Sequence, residues 1–219
     1  MGVPSSWIVH GRDGVPRCWW PGDDELYVRY HDSEWGRPLV DDRALFEKMS
    51  LEGFQSGLSW LTILRKRENF RRAFASFEIT RVAEFADADV QRLLADAGIV
   101  RHRGKIEAVI ANARAVRAMH DSGLSLTTHL WAFCSDLPLG RDGDPAHPSG
   151  LATTSPSSIA MSKDLKRRGF RFVGPTTMYS LMQSAGMIND HLEQCHVHAE
   201  CTALRHEALA RVRSSSTSS

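Results

Sequence analysis

The sequence predicts an all-α fold. Three observations carry that expectation. Apolar residues recur at helical spacing in several segments, capping residues bracket those segments, and no strand-like alternation of useful length is present. With 219 residues, 42% of them hydrophobic, the chain suits a single domain with an ample core.

The elements follow in order. Residues 1–16 are polar with Gly and Pro and read as a flexible tail, and 17–202 form the helical domain. A helix is expected over 41–57, with Asp41 or Asp42 capping its start and Gly57 where it stops. Ser59 then caps a second helix from Trp60 to about Phe74, whose Trp60, Ile63, Leu64, Phe70 and Phe74 face inward. Asp87 opens a short helix to Leu94, and Gly98 closes that stretch. Gly104–Met119 places Ile106, Val109, Ile110, Ala113 and Val116 on one face. Residues 135–158, rich in Pro, Gly, Ser, Asp and Thr, form the one long irregular segment. Ser162 caps Lys163–Arg168, and Gly169 ends it. Gly174-Pro175 starts a further helix to Ala185, with Pro in the first turn and Gly186 as the stop. Residues 203–219 read as a basic, then Ser/Thr-rich tail, disordered at its end. No internal repeat is seen.

Charge and targeting narrow the function classes. Lys and Arg number 27 against 26 Asp and Glu, so the net +1 gives no global pull toward nucleic acid; only local clusters could. No apolar run reaches the length of a membrane span, and Met1–Arg17 has no signal-peptide core. Met1–Ser6 matches a loose myristoylation pattern, which its brevity and Pro4 argue against. Four cysteines without a secretion signal point to reduced thiols in a cytoplasmic setting, where metal binding is favoured over disulfides.

The stretch from His191 to Cys201 holds three histidines and two cysteines. His191 and Cys195, four apart, would share one face of a helix and suit two ligands of tetrahedral zinc. Cys18 and His31 could complete a Cys₂His₂ site that clips the two ends of the domain together. A self-contained site from Cys195, His196, His198 and Cys201 is the rival, in strained geometry. Surface histidines and buried thiols with no metal are the third reading. Spacing leaves all three open.

Several segments read together carry a resemblance: Arg17–Trp20, Tyr27–Gly36, Leu51–Trp60, Ala97–Ile106, Lys166–Thr177 and Asn189–His191. In this order, over roughly residues 16–196, they resemble the DNA-3-methyladenine glycosylase I family of the helix-hairpin-helix superfamily. The resemblance implies one structural zinc held by Cys18, His31, His191 and Cys195, with His196, His198 and Cys201 as bystanders. It implies removal of 3-methyladenine from alkylated double-stranded DNA, with free 3-methyladenine and an abasic site as products. A monomer in the cytoplasm, acting at the nucleoid, is the corresponding expectation.

That chemistry asks for an unusual pocket. Methylation at N3 makes the base a cation and a good leaving group, so recognition matters more than acid catalysis. Aromatic faces suit a cation, at about 0.5–2 kcal/mol each. By motif match Glu52 is the catalytic candidate, a carboxylate that reads the flipped base. Tyr30 and Trp60 would sandwich the ring, with Trp20, Tyr27 and Trp35 lining the pocket. Taken alone, Glu52 reads as an exposed helix residue and the aromatics as core. Asp190 adjoins His191 and would orient it. No lysine is placed by motif for Schiff-base chemistry, so strand cleavage is not expected.

DNA would be held by the segment before the Gly174-Pro175 helix, where free backbone N–H groups bind phosphate. Gly169, Phe172, Gly174, Thr176 and Thr177 form this anchor, and Lys166 and Arg171 lend it charge. The basic turn 98–105 is a second contact. Arg65, Lys66, Arg67, Arg71 and Arg72 read as a solvated helix surface. Two rivals remain: a zinc-stabilised non-catalytic DNA-binding module, and a zinc hydrolase, which would need an open metal position.

Overall fold

The computed structural model describes residues 7–134 and 153–216. The myristoylation-like start, most of the expected 135–158 loop and the last three residues lie outside the described residues. The described part opens with an antiparallel β-hairpin, β1 Ile8–His10 and β2 Pro16–Cys18, with Ile8 opposite Cys18. Over 7–16 the expected flexible tail is instead this hairpin. Arg17, almost buried, makes bidentate bonds to Asp13 and Asp32 at 2.8–3.0 Å, and Trp7 meets Trp19 edge to face at 4.9 Å. These contacts hold strands too short to show any alternation.

Ten α-helices follow among the described residues. They are α1 Glu25–Ser33, α2 Asp42–Gln55, α3 Trp60–Ala73, α4 Ile79–Ala83, α5 Asp87–Ala95, α6 Arg103–Asp121, α7 Leu126–Trp131, α8 Pro156–Arg167, α9 Pro175–Ser184 and α10 His198–Ser216. Asp41 caps α2 through Ala44 N, and Ser59 caps α3 through Thr62 N. The inward faces expected for α3 and α6 are buried. α8 begins six residues before the expected cap, because Ser155 and Ser158 bond reciprocally and Pro156 fits the first turn. Over 203–216 the expected tail is instead part of α10. Cys201, Arg205, Leu209 and Val212 form its buried stripe, and the Arg205 guanidinium donates to Met187 O at 2.7 Å. Between α3 and α4 the chain makes a left-handed turn, with Ala75, Ser76 and Phe77 all at φ of 51–55°.

α2 is the central helix, buried from Leu45 to Phe54 apart from Glu47 and packed by α3, α6, α7 and α9. Its polar side chains Lys48, Ser50 and Glu52 therefore lie inside the molecule. Gly186 ends α9 at φ 67°, where a Cβ would come within 2.5 Å of the Arg37 and Pro38 backbone. Glycine there lets the segment after α1 lie against the end of α9. No described helix is long and apolar enough to cross a membrane.

Candidate active site and metal centre

A cavity of about 270 Å³ lies where α1, α2, α3 and α9 meet. All six residues expected at the pocket line it: Trp20, Tyr27, Tyr30, Trp35, Glu52 and Trp60. Tyr27 and Tyr30 come from successive turns on one face of α1, Glu52 from the last turn of α2, and Trp60 from the first turn of α3. Trp20 touches Tyr27 and Trp35 edge-on at 4.9 and 5.1 Å. The expected sandwich of Tyr30 and Trp60 is not preformed. Their centroids lie 5.4 Å apart with planes tilted by 41°. Admitting a ring between two others takes about 7 Å, twice a van der Waals contact. A flat ligand would stack on one of these rings unless Trp60 moved. The indole N–H of Trp60 is buried without an acceptor among the described residues.

Sequence reasoning missed Trp19, Gln55, Ser180 and Gln183 in the same lining, and gave Asp190 another task. Gln55 lies one turn beyond Glu52 on α2, and Ser180 and Gln183 lie on α9, whose pairing with α2 no sequence pattern reveals. Asp190 accepts from the Tyr179 hydroxyl and from Gln183 Nε2, both at 2.8 Å. The His191 ring is held by other partners, so the expectation that Asp190 orients it is corrected.

Glu52 is only 5% exposed, against the bland reading of an exposed helix residue. Burial pushes its carboxyl up to about 7, while the Lys48 charge and a 2.8 Å bond from Ser184 Oγ pull the other way. Burial and the Glu52 charge together push the Tyr27 hydroxyl up to about 12. A carboxylate walled by aromatic rings can bind a flat cation by charge, edge hydrogen bonds and ring faces together.

The second cluster adjoins this pocket. Cys18 at the end of β2, His31 on α1, and His191 and Cys195 after α9 bring their ligand atoms within 4.8 Å of one another, all buried. His191 and Cys195 reach it from turns, not from the helix expected over 191–195. Cys18 Sγ lies 3.7 Å from His191 Nδ1, and Cys195 Sγ lies 3.5 Å from His31 Nε2 and 3.6 Å from His191 Nδ1. Tetrahedral zinc with ordinary bond lengths places sulfur and nitrogen about 3.6 Å apart. The other ring nitrogens suit the same tautomers. His31 Nδ1 meets Asp32 at 2.7 Å, and His191 Nε2 meets Trp35 O at 3.1 Å. The bond from Cys18, with those of His191 and His31, holds the Cys195 thiol far below its ordinary range. Gly36, at φ 78°, leaves room that a Cβ would close to 2.9 Å from His191 Nε2. The residues fit a metal, and the fit favours the split set over the self-contained one. His196 bonds to Asp32 at 3.0 Å instead.

The expected DNA anchor forms the turn between α8 and α9. Lys166, Gly169, Arg171, Phe172 and Thr176 are exposed, and Gly174 and Thr177 partly so. Asn112 on α6 braces the turn, accepting from Arg171 N at 2.8 Å and donating to Arg171 O at 3.1 Å. Arg167 and Arg168 are tied to Asp164, whereas Lys166 and Arg171 make no ion pair among the described residues. Phe172, at φ 54°, reaches the 98–105 turn, its ring 6.2 Å from His102. It also lies 3.5 Å from where a Cβ on Gly53, next to Glu52, would stand. Lys105 does not serve that second turn. It is buried and donates to Phe54 O and Ser56 O at the end of α2. The cations of α3 are not merely solvated either. Arg65, Arg67 and Arg71 pair with Asp24, Glu34 and Glu47, fastening α3 to its neighbours.

The methyladenine glycosylase family model matches residues 20–198, which include all these sites except Cys18 and Trp19. The chain belongs to the methyladenine glycosylase family. Among its relatives, DNA-3-methyladenine glycosylase 1 of Escherichia coli is 48% identical over 181 residues, covering 83% of this chain and 96% of the relative. DNA-3-methyladenine glycosylase of Haemophilus influenzae is 42% identical over 179 residues, covering 82% and 96%. A variant of a 3-methyladenine DNA glycosylase I, solved in complex with 3-methyladenine, is similar at TM-score 0.77 and 36% identity, over 83% of this chain and 97% of that one. Family membership accounts for the ordered motifs that the sequence resemblance rested on.

Proposed function

We propose that the protein is a monofunctional DNA repair glycosylase that excises 3-methyladenine from alkylated duplex DNA. The observation that carries this is the cavity in which Glu52 meets six aromatic side chains, with α9 running from its wall back to the α8–α9 turn. The helix-hairpin-helix element is that turn. Its exposed Lys166 and Arg171, with backbone N–H groups at the start of α9, hold phosphates around the lesion without reading sequence.

The flipped nucleotide enters with its base already cationic. Tyr30, Trp60 and the other rings accept the charged face, and ionised Glu52 meets its edge. Adenine has no charge to offer and gains less from the same walls. As the C1′–N9 bond breaks, its electron pair passes to the base, which leaves neutral. Water adds to C1′ and gives its proton to solvent, producing an abasic site. Binding the displaced cationic base is the work of the pocket, so no strong acid is required.

Zinc would be the ion held by Cys18, His31, His191 and Cys195. With four protein ligands it would have no open position, and its contribution would be to fix the β-hairpin and the 189–197 segment against α1. The protein acts as a monomer in the cytoplasm. The test is base release from methylated duplex DNA by wild type and Glu52→Gln, with the freed base identified chromatographically. Release of 3-methyladenine but not 7-methylguanine, falling at least about 100-fold in the variant, is expected. DNA and zinc binding without release would leave a non-catalytic DNA-binding module instead.

A further inference from the structure

α2 carries a second buried charge, one that the recognition scheme does not use. Lys48 is 8% exposed and lies one helical turn before Glu52, on the same face. Its ammonium donates to the Tyr30 hydroxyl at 3.2 Å. It stands 4.8 Å from the Tyr30 ring centroid and 5.1 Å from that of Trp60. Both rings line the cavity, and Lys48 does not. Lys48 instead faces a second cavity of about 200 Å³, which it shares with Glu34, Glu47, Arg67, Arg71 and Ser184. Ser184 is the residue that donates to Glu52. Lys48 and Ser184 therefore form the partition between Glu52 and this charged rear cavity.

A cation behind a pocket built for a cation has the wrong sign to help directly. It repels the lesion, and it occupies the Tyr30 and Trp60 faces that attract positive charge. Its use must run through a group of opposite sign. Glu34 and Glu47 are already paired with Arg67 and Arg71 at 2.5 and 2.7 Å. Asp190, across the pocket, is held by Tyr179 and Gln183. Tyr27 and Tyr30 are neutral hydroxyls at neutral pH. Among the groups facing this point from α1, α2, α3 and α9, Glu52 pulls most strongly on the Lys48 charge, ahead of Glu34 and Glu47, and it alone has no arginine partner.

We propose that Lys48 is a positioning residue for base recognition, supplying the buried countercharge that makes Glu52 a carboxylate when the flipped base arrives and fixing the Tyr30 hydroxyl. The inference rests on the recognition role proposed above for Glu52. A neutral carboxyl would offer hydrogen bonds but no charge to a cationic ring. Burial alone drives Glu52 toward that neutral form, and Lys48 opposes the drift.

The test follows the Glu52 carboxyl by carbon-13 NMR against pH in wild type, Lys48→Met, Lys48→Gln and Lys48→Arg. Single-turnover release of 3-methyladenine is measured on the same samples, after zinc content and thermal midpoint establish that each is folded. Lys48→Met and Lys48→Gln are expected to move the Glu52 titration to higher pH, and the acid limb of release with it. For a displacement of one pH unit, release at pH 7 falls about fivefold and returns to within about twofold of wild type at pH 8.5. Lys48→Arg keeps both limbs in place. Lys48→Gln retains a polar partner for Tyr30 without the charge, and carries the test alone should Lys48→Met not fold. An unmoved Glu52 titration in a folded, uncharged variant overturns the proposal. So does a titration that moves while the release limb stays fixed. Wild type that releases no base at any pH overturns the recognition role itself, and the carbon-13 titration still reports separately on the Lys48–Glu52 pairing.

Discussion

At position 52 the fold holds a carboxyl group where ionising it is costly. Its ordinary value of 4.5 is pushed up to about 7 by burial. The unfolded chain therefore binds fewer protons than the folded one between those limits. Stability falls as pH rises from about 4.5 to 7 and is level above, since both states are then ionised. Glu52→Gln removes that penalty while leaving Lys48 without its countercharge. The expected result is a variant more stable than wild type at pH 8 by about 1 kcal/mol, with the gain fading below pH 5, read as urea midpoints across pH. Loss of base release in a more stable protein is the signature of a residue kept for chemistry rather than for folding. Glu52 was legible in the sequence only through the Leu51–Trp60 motif, because nothing local distinguishes it from an exposed helix residue. Lys48 was not legible. A lysine between Glu47 and Met49 looks like solvent-facing decoration until α3, α7 and α9 close around α2.

At the scale of elements, the turn joining α8 to α9 is braced by Asn112 and presents to solvent Lys166 and Arg171, which make no ion pair among the described residues. Phosphate contacts release counterions, so each contributes close to one unit to the salt dependence of binding. Lys166→Ala and Arg171→Ala are each expected to weaken binding to duplex DNA of any sequence. Each should also reduce the slope of log affinity against log salt by about 0.9, measured by fluorescence anisotropy. Unchanged slopes would move the phosphate contacts elsewhere. This turn was readable because Gly169 and Gly174-Pro175 punctuate it with residues of known backbone habit. α3, α6 and α9 were readable for the same reason, together with their regular apolar spacing. α10 was not, since its basic and serine-rich composition hides a buried stripe only four residues deep. The left-handed turn at Ala75–Phe77 was equally hidden. Ordinary residues disfavour that backbone, and it is held by Phe77 stacking on Phe74 at 5.6 Å. The β-hairpin escaped notice because its strands have three residues each.

Over the whole molecule, the Cys/His cluster is what joins the first elements to the last. Removing zinc with a chelator and a thiol reagent is expected to release one ion per chain. It should also lower folding stability by about 4 kcal/mol or more, read from thermal midpoints with and without added zinc. Hydrogen exchange should rise first in 7–20 and 187–201, with α2 and α6 protected until global unfolding. Exchange rising uniformly would mean that the cluster carries the core itself. Spacing left the choice among candidate ligands open, because Cys18 and His191 are 173 residues apart, and the family resemblance made the choice that the structure brings together. That separation has a consequence in time. During synthesis Cys18 and His31 emerge early, and they wait through nearly the whole chain for His191 and Cys195. The ring walls beside them wait too, since Trp35 meets His191 and Trp20 meets His31. A polypeptide interrupted between residues 185 and 190 has α1 to α9 and lacks half of the cluster. The cluster can therefore close only after α1 to α9 have been made, and the pocket wall that Trp35 and Trp20 share with its histidines closes with it.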